Sequence, residues 1–458
     1  MKLSKQFCVV ATAAALLLGS AANAGQQRPF AIPGPKADVN PAVKAQFTCE
    51  IRPFDLSQGL YCYGPAAIRA AYGVDALQAA HLTGKGQTIV IIDAFGSPAA
   101  LSDLQLFDSV YGLKDPVFIQ DTSLNPPPFD PTNADMVGWT AEIALDTQWS
   151  HAMAPDAKIV LIAAKSDQDS DLTAALIYAL NTYHPTVVSM SFGESEWDLS
   201  NPSGLDDVNA WQSAFQQARH QHVTLFVSSA DNGVDTAFAA IGPNTSFPAS
   251  SPLVTSVGGT NLQFGTATNA APPPTGTYQA EEVWNDGFGA GGGGMSILMS
   301  EPDYQSDNVP KSVNQTLHGF RGVPDIAYNA GVVGGVIAAW GIPDGPGFFF
   351  IFGGTSAGSP QMSGIVADLA QGLGGNLGFI NPQLYRLGGA GFLKHVTHDV
   401  TIGNNTVTEA TANGPVTITG YSATPGYDLG TGWGTPNFGG IQGSMLSDQG
   451  GNWNGYSH

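Results

Sequence analysis

Between residues 61 and 230 the chain alternates short, continuously apolar runs with longer amphipathic stretches. The apolar runs do not alternate with polar residues, which is typical of strands that are buried on both faces. The stretches between them repeat apolar residues at the spacing of a helix. The pattern therefore predicts an α/β fold whose central, mostly parallel sheet has helices on both faces.

The individual elements follow from these runs. The predicted strands are GQTIVIIDAFG at 86–96, AKIVLIAA at 157–164, TVVSMSFG at 186–193 and HVTLFVSS at 222–229. The predicted helices cover 65–71, a stretch after Ala99, 136–149, 172–183 and 211–219. Residues 25–60 are rich in proline and are predicted to form a short, irregular N-terminal extension. In an open parallel sheet, ligands bind at the carboxyl ends of the strands, so the polar residues there are the first candidates for function.

The balance of acidic and basic side chains excludes some classes of function. Only 12% of the 458 residues are charged, and 37 acidic side chains face 16 Lys and Arg. Such a surface does not bind nucleic acid through its phosphate backbone. A surface of this kind is suited to an acidic environment, because few positive charges remain to repel one another once the carboxylates are protonated.

The N-terminus indicates the compartment. A short basic stretch, MKLSK, precedes the apolar run FCVVATAAALLLG, which is too short to span a bilayer. Ala22-Asn23-Ala24 then matches the small-x-small pattern for cleavage before Gly25, so residues 1–24 are predicted to be a signal peptide. The mature protein is expected to be secreted, either extracellular or periplasmic, without a membrane anchor.

Cysteine usage agrees with export. Cys8 lies in the predicted signal peptide, which leaves Cys49 and Cys62 in the mature chain. Two cysteines at this separation in an exported protein are expected to form a disulfide.

Ser356 is the candidate nucleophile, because it lies in a glycine-rich turn between an apolar run and a helix. Gly354-Thr355-Ser356-Ala357-Gly358 fits the G-x-S-x-G elbow of α/β-hydrolases, but that fold needs an acid and then a His on further strands after the serine. Pro360, in the first turn of the helix, instead completes G-T-S-x-x-x-P, the serine signature of subtilisin-like proteases. The second interpretation predicts a peptidase.

A subtilisin-like enzyme would use a His as its base, yet the expected His-Gly-Thr is absent from the sequence. His151 is placed beyond the end of its predicted helix. The helix that should carry the base instead contains Glu142 and Asp146, which lie four residues apart and so share one face. Most such pairs are solvated, but the neighbours here are apolar, so a shared proton could give this pair a pKa suited to a base in acid.

These residues resemble a family. The combination of Glu142-x-x-x-Asp146, Ser228-Ser229-Ala230-Asp231-Asn232-Gly233 and Gly354-Thr355-Ser356-Ala357-Gly358-Ser359-Pro360 is similar to the sedolisins, serine-carboxyl peptidases with a subtilisin-like fold that work in acid. Further similar segments, in family order, extend the resemblance over roughly residues 61 to 436.

The resemblance implies a role for each residue. Ser356 would be the nucleophile, Glu142 its general base and later acid, and Asp146 the residue that orients Glu142. Asp231 would be protonated and donate to the oxyanion beside the Ser356 amide. The strand around Ser189 to Gly193 would pair with the backbone of a protein or peptide substrate.

The C-terminal segment is similar to the sedolisin calcium site. The resemblance implies one structural Ca²⁺, bound by the carboxylates of Asp399 and Asp428 and by the carbonyls of Val400, Thr424 and Gly426. Thr424 replaces the usual glycine.

The expected organisation is thus a signal peptide at 1–24, a short extension at 25–60 and a monomeric, sedolisin-like peptidase domain at 61–458. Sedolisins usually carry a large N-terminal prodomain, and 25–60 is too short for one. Two alternatives stay open at this point. The chain could be a lipase or esterase of the α/β-hydrolase type, or an inactive binding protein with the same fold.

Overall fold

A computed structural model describes residues 25–39, 47–51, 60–237, 242–265, 277–342 and 345–440. The predicted signal peptide and Cys8 lie outside the described residues. The helices are α1 (Pro65–Tyr72), α2 (Val74–Ala79), α3 (Ala100–Tyr111), α4 (Ala134–Met153), α5 (Asp169–Thr182), α6 (Pro202–His220), α7 (Asp303–Ser306), α8 (Lys311–Leu317), α9 (Gly358–Leu373) and α10 (Asn381–Gly389).

The strands of the first half are β1 (Arg28–Pro29), β2 (Ile32–Lys36), β3 (Cys62–Tyr63), β4 (Thr88–Ala94), β5 (Phe118–Asp121), β6 (Lys158–Ala164), β7 (Val187–Met190), β8 (Phe192–Ser195), β9 (Thr224–Ser228), β10 (Ser246–Phe247) and β11 (Thr255–Gly265). Those of the second half are β12 (Thr277–Val283), β13 (Gly294–Ser300), β14 (Phe320–Val323), β15 (Ile326–Asn329), β16 (Gly335–Ala339), β17 (Phe349–Gly353), β18 (Thr397–His398), β19 (Val407–Thr411), β20 (Gly414–Ile418) and β21 (Thr435–Pro436).

The central sheet has the order β12-β11-β9-β7-β4-β6-β5, and β15 also pairs with β11. All of its pairings are parallel except that of β11 with β12. Side chains of β4 alternate between two hydrophobic clusters. Ile89 and Ile91 join the one that contains residues of α4 and α9, and Val90 and Ile92 join the one that contains residues of α5 and α6. The α/β prediction, with helices on both faces of a mostly parallel sheet, is therefore confirmed.

The N-terminal extension is more regular than its proline content predicts. β1 pairs antiparallel with β8, and β2 pairs antiparallel with β17. The predicted disulfide is present, because Cys49 and Cys62 are bonded. The extension is thus attached to the same sheets that carry the candidate site.

Two local predictions were wrong. The strand predicted at 186–193 is interrupted at Ser191, which separates β7 from β8. The helix predicted at 136–149 continues to Met153, so His151 lies within α4 rather than beyond it. Nothing among the described helices combines the length and apolar character that a bilayer crossing requires.

Candidate active site

The acidic pair lies in the middle of α4. Asn133 caps this helix, and its side chain accepts from the backbone amides of Asp135 and Met136. The helix is almost entirely buried between the sheet and α9, so that Glu142 and Asp146 have no solvent exposure. Their four-residue spacing places them on one face, as predicted, and that face is directed into the protein rather than into water.

Ser356 follows β17, in a short 3-10 turn that leads into α9. Gly354 makes the turn possible, since its φ of +99° is readily adopted only by glycine. The Ser356 Oγ lies 3.3 Å from the carbonyl oxygen of Ser191. The Ser356 hydroxyl is also near the carboxyl group of Glu142, whose pKa it lowers against the larger effect of burial. The structure therefore brings the predicted nucleophile and the predicted base close together.

The carboxyl groups behind Ser356 are short of donors. The carboxyl groups of Glu142 and Asp146 are neighbours, and Glu142 Oε1 and Asp146 Oδ2 have no hydrogen-bond partner among the described residues. A hydrogen bond between the two groups would require a proton on one of them. The Ser191 hydroxyl donates to Asp146 Oδ1 at 3.0 Å. Neither carboxyl oxygen of Asp93, behind the pair, has a donor among the described residues.

Burial raises the pKa of all three carboxyl groups well above the ordinary range. For Glu142 the charge of Asp146 adds to the effect of burial, and for Asp146 the charge of Asp93 does so. For Asp93 the additional cause is the charge of Glu142. Because charges at this spacing in a dry site cannot all form, the cluster holds protons that isolated acids would have lost.

Asp231 faces the same turn from the end of β9. Its Oδ1 accepts from both the backbone amide and the hydroxyl of Thr355, each at 2.8 Å. Its Oδ2 is buried and has no partner among the described residues. Burial raises the pKa of Asp231 to about 8, although the Thr355 bonds oppose that shift. Ala230, just before it, is held at a φ of +94°, which is costly for a residue other than glycine and fixes the direction of the Asp231 backbone.

The structure thus places Ser356, Glu142, Asp146 and Asp231 in one site. The sequence did not indicate that Phe30 and Ala31 also lie there. The Ala31 amide donates to Glu142 Oε2 at 2.6 Å, and the Phe30 amide donates to the Ser191 carbonyl at 3.2 Å. A cavity of about 550 Å³ lies beside this segment, and its lining includes Phe30, Trp139, Asp231 and Gly289.

The histidines near the candidate residues have other partners. His151 is buried, with its Nε2 atom 3.3 Å from Asp108 Oδ1. His398 stacks on Tyr278 at 3.6 Å, and His395 is exposed. None of the three is bonded to Ser356 in the described part of the chain, so the order of acid and His expected of an α/β-hydrolase is not found.

The predicted calcium ligands come from two loops that contact each other. The Gly426 amide donates to both carboxyl oxygens of Asp399, at 3.1 and 3.2 Å. The Thr424 amide donates to Asp428 Oδ2 at 2.9 Å. Within the described ranges, no donor reaches the carbonyl oxygens of Val400, Thr424 or Gly426. These oxygen donors fit a hard cation such as Ca²⁺.

Throughout the residues that the structure describes, no three or more His, Cys, Asp or Glu side chains form a group that could hold an ion. The predicted site has only two such side chains, so calcium stays a prediction.

Comparison with known proteins gives concordant results. The sequence model of the Subtilase family matches residues 135–384, which include Glu142, Asp146, Asp231 and Ser356. Kumamolisin from Bacillus sp. (strain MN-32) is 34% identical over 363 residues, which are 78% of this chain and 59% of kumamolisin. Sedolisin from Pseudomonas sp. (strain 101) is 32% identical over 371 residues, which are 77% of this chain and 57% of sedolisin. The chain therefore spans less than two thirds of the length of either relative.

A solved structure is also similar. Pseudomonas sedolisin, a serine-carboxyl proteinase complexed with two molecules of pseudo-iodotyrostatin, matches with a TM-score of 0.70 and 27% sequence identity. The match covers 86% of this chain and 100% of that one.

Proposed function

Because the chain belongs to the subtilase family, in its sedolisin branch, we propose that it is a secreted, acid-active serine-carboxyl endopeptidase. The observation that carries the proposal is the position of Ser356 beside a buried carboxyl pair, opposite a buried Asp231 whose Oδ2 has no partner among the described residues. The natural substrates would be proteins or peptides.

Ser356 would attack the carbonyl carbon of the scissile bond. As the bond forms, its proton passes to Glu142, whose carboxyl group is already near the serine hydroxyl. Asp146 acts through Glu142, because the proton that they share fixes which oxygen of Glu142 faces the serine. Glu142 then returns the proton to the leaving amine, and water resolves the acyl-enzyme by the same steps in reverse.

Asp231 would supply the oxyanion donor. Two hydrogen bonds from Thr355 occupy its Oδ1, so the proton needed for a donor belongs on Oδ2. The negative charge of the tetrahedral intermediate would then face an O–H donor together with the Ser356 amide. Such donors contribute roughly 10²- to 10³-fold to the rate in serine peptidases.

Two features of the site suit it to acid. Asp231 donates only while protonated, which its raised pKa of about 8 permits throughout the acid range. The Glu142 and Asp146 pair keeps one shared proton over a range of acidic pH, where a His base would already be charged.

The substrate backbone would bind along β8 as an added strand, with the Ser191 carbonyl accepting from the residue before the scissile bond. The occupation of this place by residues 28–30 supports that interpretation.

Calcium would be held by Asp399, Asp428 and the carbonyls of Val400, Thr424 and Gly426. It would tie the two C-terminal loops together and act on stability rather than on the chemistry. A chelator should then lower the unfolding midpoint, and added Ca²⁺ should restore it. A midpoint that responds to neither would remove calcium from the proposal.

The decisive experiment is protein digestion at about pH 4 by the wild type and by Ser356→Ala. The variant should lose at least about 10⁴-fold in kcat, because no other group offers the attacking oxygen. Phe392→Asp changes an exposed residue that is distant from Ser356 in the sequence. This variant serves as the matched control and should digest protein as the wild type does.

The alternatives make different predictions in the same assay. A lipase or esterase would hydrolyse a short-chain ester at neutral pH and leave protein intact. An inactive binding protein would digest nothing in either form. Equal digestion by the wild type and by Ser356→Ala would reject the mechanism itself.

A further inference from the structure

Gly25 has two acidic residues as its backbone partners. Cleavage after Ala24, as the sequence predicts, would make Gly25 the first residue of the mature chain and turn its nitrogen into an α-ammonium group. That nitrogen donates to Glu194 Oε2 at 3.1 Å. The Gly25 carbonyl oxygen accepts from the backbone amide of Asp169 at 3.0 Å. Both polar backbone groups of Gly25 are therefore bonded to acidic residues.

Three carboxyl groups lie close to the Gly25 nitrogen. Besides Glu194, a Cβ atom at Gly25 would lie 3.5 Å from Asp207 Oδ2 and 3.9 Å from Asp169 Oδ2. Because a Cβ atom and the nitrogen are bonded to the same Cα, these two oxygens also border the nitrogen. Glu194 belongs to β8, Asp169 to the first turn of α5 and Asp207 to α6. An amine at this place would thus be faced by carboxyl groups from three different elements.

One of these carboxyl groups is buried and lacks a partner on the side of Gly25. The Asp169 side chain is 2% exposed. Its Oδ1 accepts from Gln27 Nε2 at 2.8 Å and from Trp211 Nε1 at 2.5 Å. Its Oδ2, the oxygen near Gly25, has no donor among the described residues. A buried carboxyl oxygen without a donor indicates that a hydrogen-bonding group or a cation belongs there.

No side-chain cation compensates the two buried acids. Within the described ranges, the ion pairs of Lys, Arg and His involve neither Glu194 nor Asp169. The charge of Arg28 acts on Asp198, whose raised pKa it opposes. With an uncharged amide at Gly25, burial and the neighbouring Asp169 raise the pKa of Glu194 to about 10. A positive charge within about 4–6 Å would stabilise the ionised carboxylates, and an α-ammonium group at Gly25 supplies one.

The residues that follow keep Gly25 in this position. The Gln26 side chain donates to Asp167 Oδ2 at 3.0 Å, and the Gln27 amide donates to the Asp167 carbonyl at 2.8 Å. The Gln27 side chain donates to Glu194 Oε1 at 3.0 Å. Because these bonds fix the register of the segment, an N-terminus one or two residues longer would place its ammonium group away from Glu194.

We propose that Glu194, Asp169 and Asp207 form a binding site for a primary ammonium group, which is occupied by the α-ammonium of Gly25 in the mature chain. The inference rests on the secreted state in the proposed function and needs none of the peptidase chemistry. No covalent step is involved. The ammonium group donates to Glu194 Oε2, and its other N–H groups are available to the unpartnered Asp169 Oδ2 and to Asp207. The site would join the start of the mature chain to β8, which borders the candidate active site.

The first test measures how firmly the Gly25 amine holds its proton. It uses the secreted full chain as Ser356→Ala, so that digestion of the sample cannot alter the N-terminus, and mass spectrometry verifies that this chain begins at Gly25. The reactivity of the amine toward limiting acetic anhydride is followed against pH, with a synthetic peptide of residues 25–30 in the same tube. The midpoint for the protein should lie at least about one pH unit above that of the peptide. Steric shielding alone would lower the reactivity without moving the midpoint.

Three variants assign the effect to the site. Glu194→Gln should return the midpoint of the Gly25 amine to that of the peptide, because the carboxylate bonded to the amine is gone. Asp207→Asn should lower the midpoint by a smaller amount. Asp206→Asn is the matched control, since Asp206 is the exposed neighbour of Asp207 on the same helix, and it should leave the midpoint unchanged. If Glu194→Gln does not fold, Asp207→Asn and its control decide.

A double-mutant cycle on thermal unfolding gives a second readout. Insertion of Ser-Gly between Ala24 and Gly25 puts an uncharged amide at Gly25 and moves the ammonium group away. At pH 6 the insertion should lower the unfolding midpoint by about 2 °C. In the Glu194→Gln background the same insertion should have little effect, because the main partner of the ammonium group is already absent.

Equal midpoints of reactivity for the protein and the peptide would overturn the site. A midpoint that stays raised in Glu194→Gln, or a mature chain that begins at another residue, would do the same. None of these results bears on the peptidase function, which is judged by protein digestion at about pH 4 with the chain that retains Ser356.

Discussion

One fully buried carboxyl group, that of Asp325, and a cluster of three others in this protein have opposite surroundings. Asp325 is saturated with donors: Arg321 reaches both of its oxygens, at 2.7 and 2.6 Å, and the Tyr385 hydroxyl donates at 2.6 Å. The Ser256 amide and the Asn381 side chain add two more bonds. A buried charge with this many partners is compensated by the positive charge and the hydrogen-bond donors around it.

The carboxyl groups of Glu142, Asp146 and Asp93 are equally buried but have few donors and no positive neighbour among the described residues. Their surroundings favour the protonated form. Asp325 instead has a positive neighbour and several hydrogen-bond donors. Burial alone therefore does not identify a functional acid. The number of hydrogen-bond donors around a buried carboxyl group distinguishes a carboxylate that stabilises the fold from a carboxyl group that can exchange a proton.

The largest expected difference is in catalysis. Glu142→Gln should lower kcat on a peptide at pH 4 at least about 10⁴-fold, because an amide cannot accept the serine proton. Its thermal midpoint should stay level or rise, since the amide removes a poorly solvated acid. Steady-state kinetics and calorimetry on one preparation check both parts, and activity within tenfold of the wild type would contradict the role of Glu142.

The opposite result, a loss of stability, is expected for Asp325, whose carboxyl group has many hydrogen-bond donors. Asp325→Asn should reduce the free energy of unfolding by about 3–5 kcal/mol, because it leaves the Arg321 charge buried without its counter-ion. Urea unfolding at pH 5 measures this loss, with Glu142→Gln as the matched amide substitution. An equal loss in both variants would show that donor supply does not separate the two sets.

A smaller effect is expected at Asp231. Asp231→Asn retains an N–H donor beside the oxyanion, so kcat at pH 4 should fall less than about tenfold. The wild-type donor is lost as pH rises through the pKa of about 8, whereas the amide does not titrate. Any loss of activity caused by that ionisation should disappear in the variant, and an unchanged alkaline limb would exclude Asp231 as its cause.

The smallest effect is a pH dependence of stability. Burial raises the pKa of Glu50 to about 7, of Asp103 to about 6 and of Asp231 to about 8. Between about pH 4 and pH 8 the unfolded chain has lost protons that the folded chain still binds, so stability must fall as pH rises. The unfolding midpoint should be highest near pH 4 and several degrees lower near pH 8. A midpoint that increases with pH would mean that these groups are charged in the folded protein.

Sequence alone sufficed for the parts of the site that follow a local repeat. Glu142 and Asp146 share a helix face because of their spacing, and the Ser356 turn is encoded by Gly354 and Pro360. The end of α4 was predicted too early, and His151 was therefore placed outside the helix. The sequence beyond Trp149 contains no strong helix stop before Ala154 and Pro155, so the helix continues past the predicted end.

The contacts of the N-terminal extension could not be predicted in this way. Ala31 and Glu142 are 111 residues apart, and no periodicity connects them. Proline content indicated an irregular segment, whereas pairing with β8 and β17 imposes extended strands on it. The donor count of each carboxyl group likewise depends on partners from distant parts of the chain, and it becomes visible only in three dimensions.

The double hydrogen bond between Thr355 and Asp231 has a consequence for engineering. Thr355 lies immediately before the proposed nucleophile, so Asp231, the proposed oxyanion donor, is attached to the same turn that presents Ser356. Converting a histidine-based subtilase into an acid enzyme would therefore require the carboxyl pair and the aspartic acid, while the threonine of the G-T-S-x-x-x-P signature, just before the serine, would have to be kept. If the acids were transplanted without that hydroxyl, the proton of the residue equivalent to Asp231 would no longer be confined to the oxygen that faces the oxyanion.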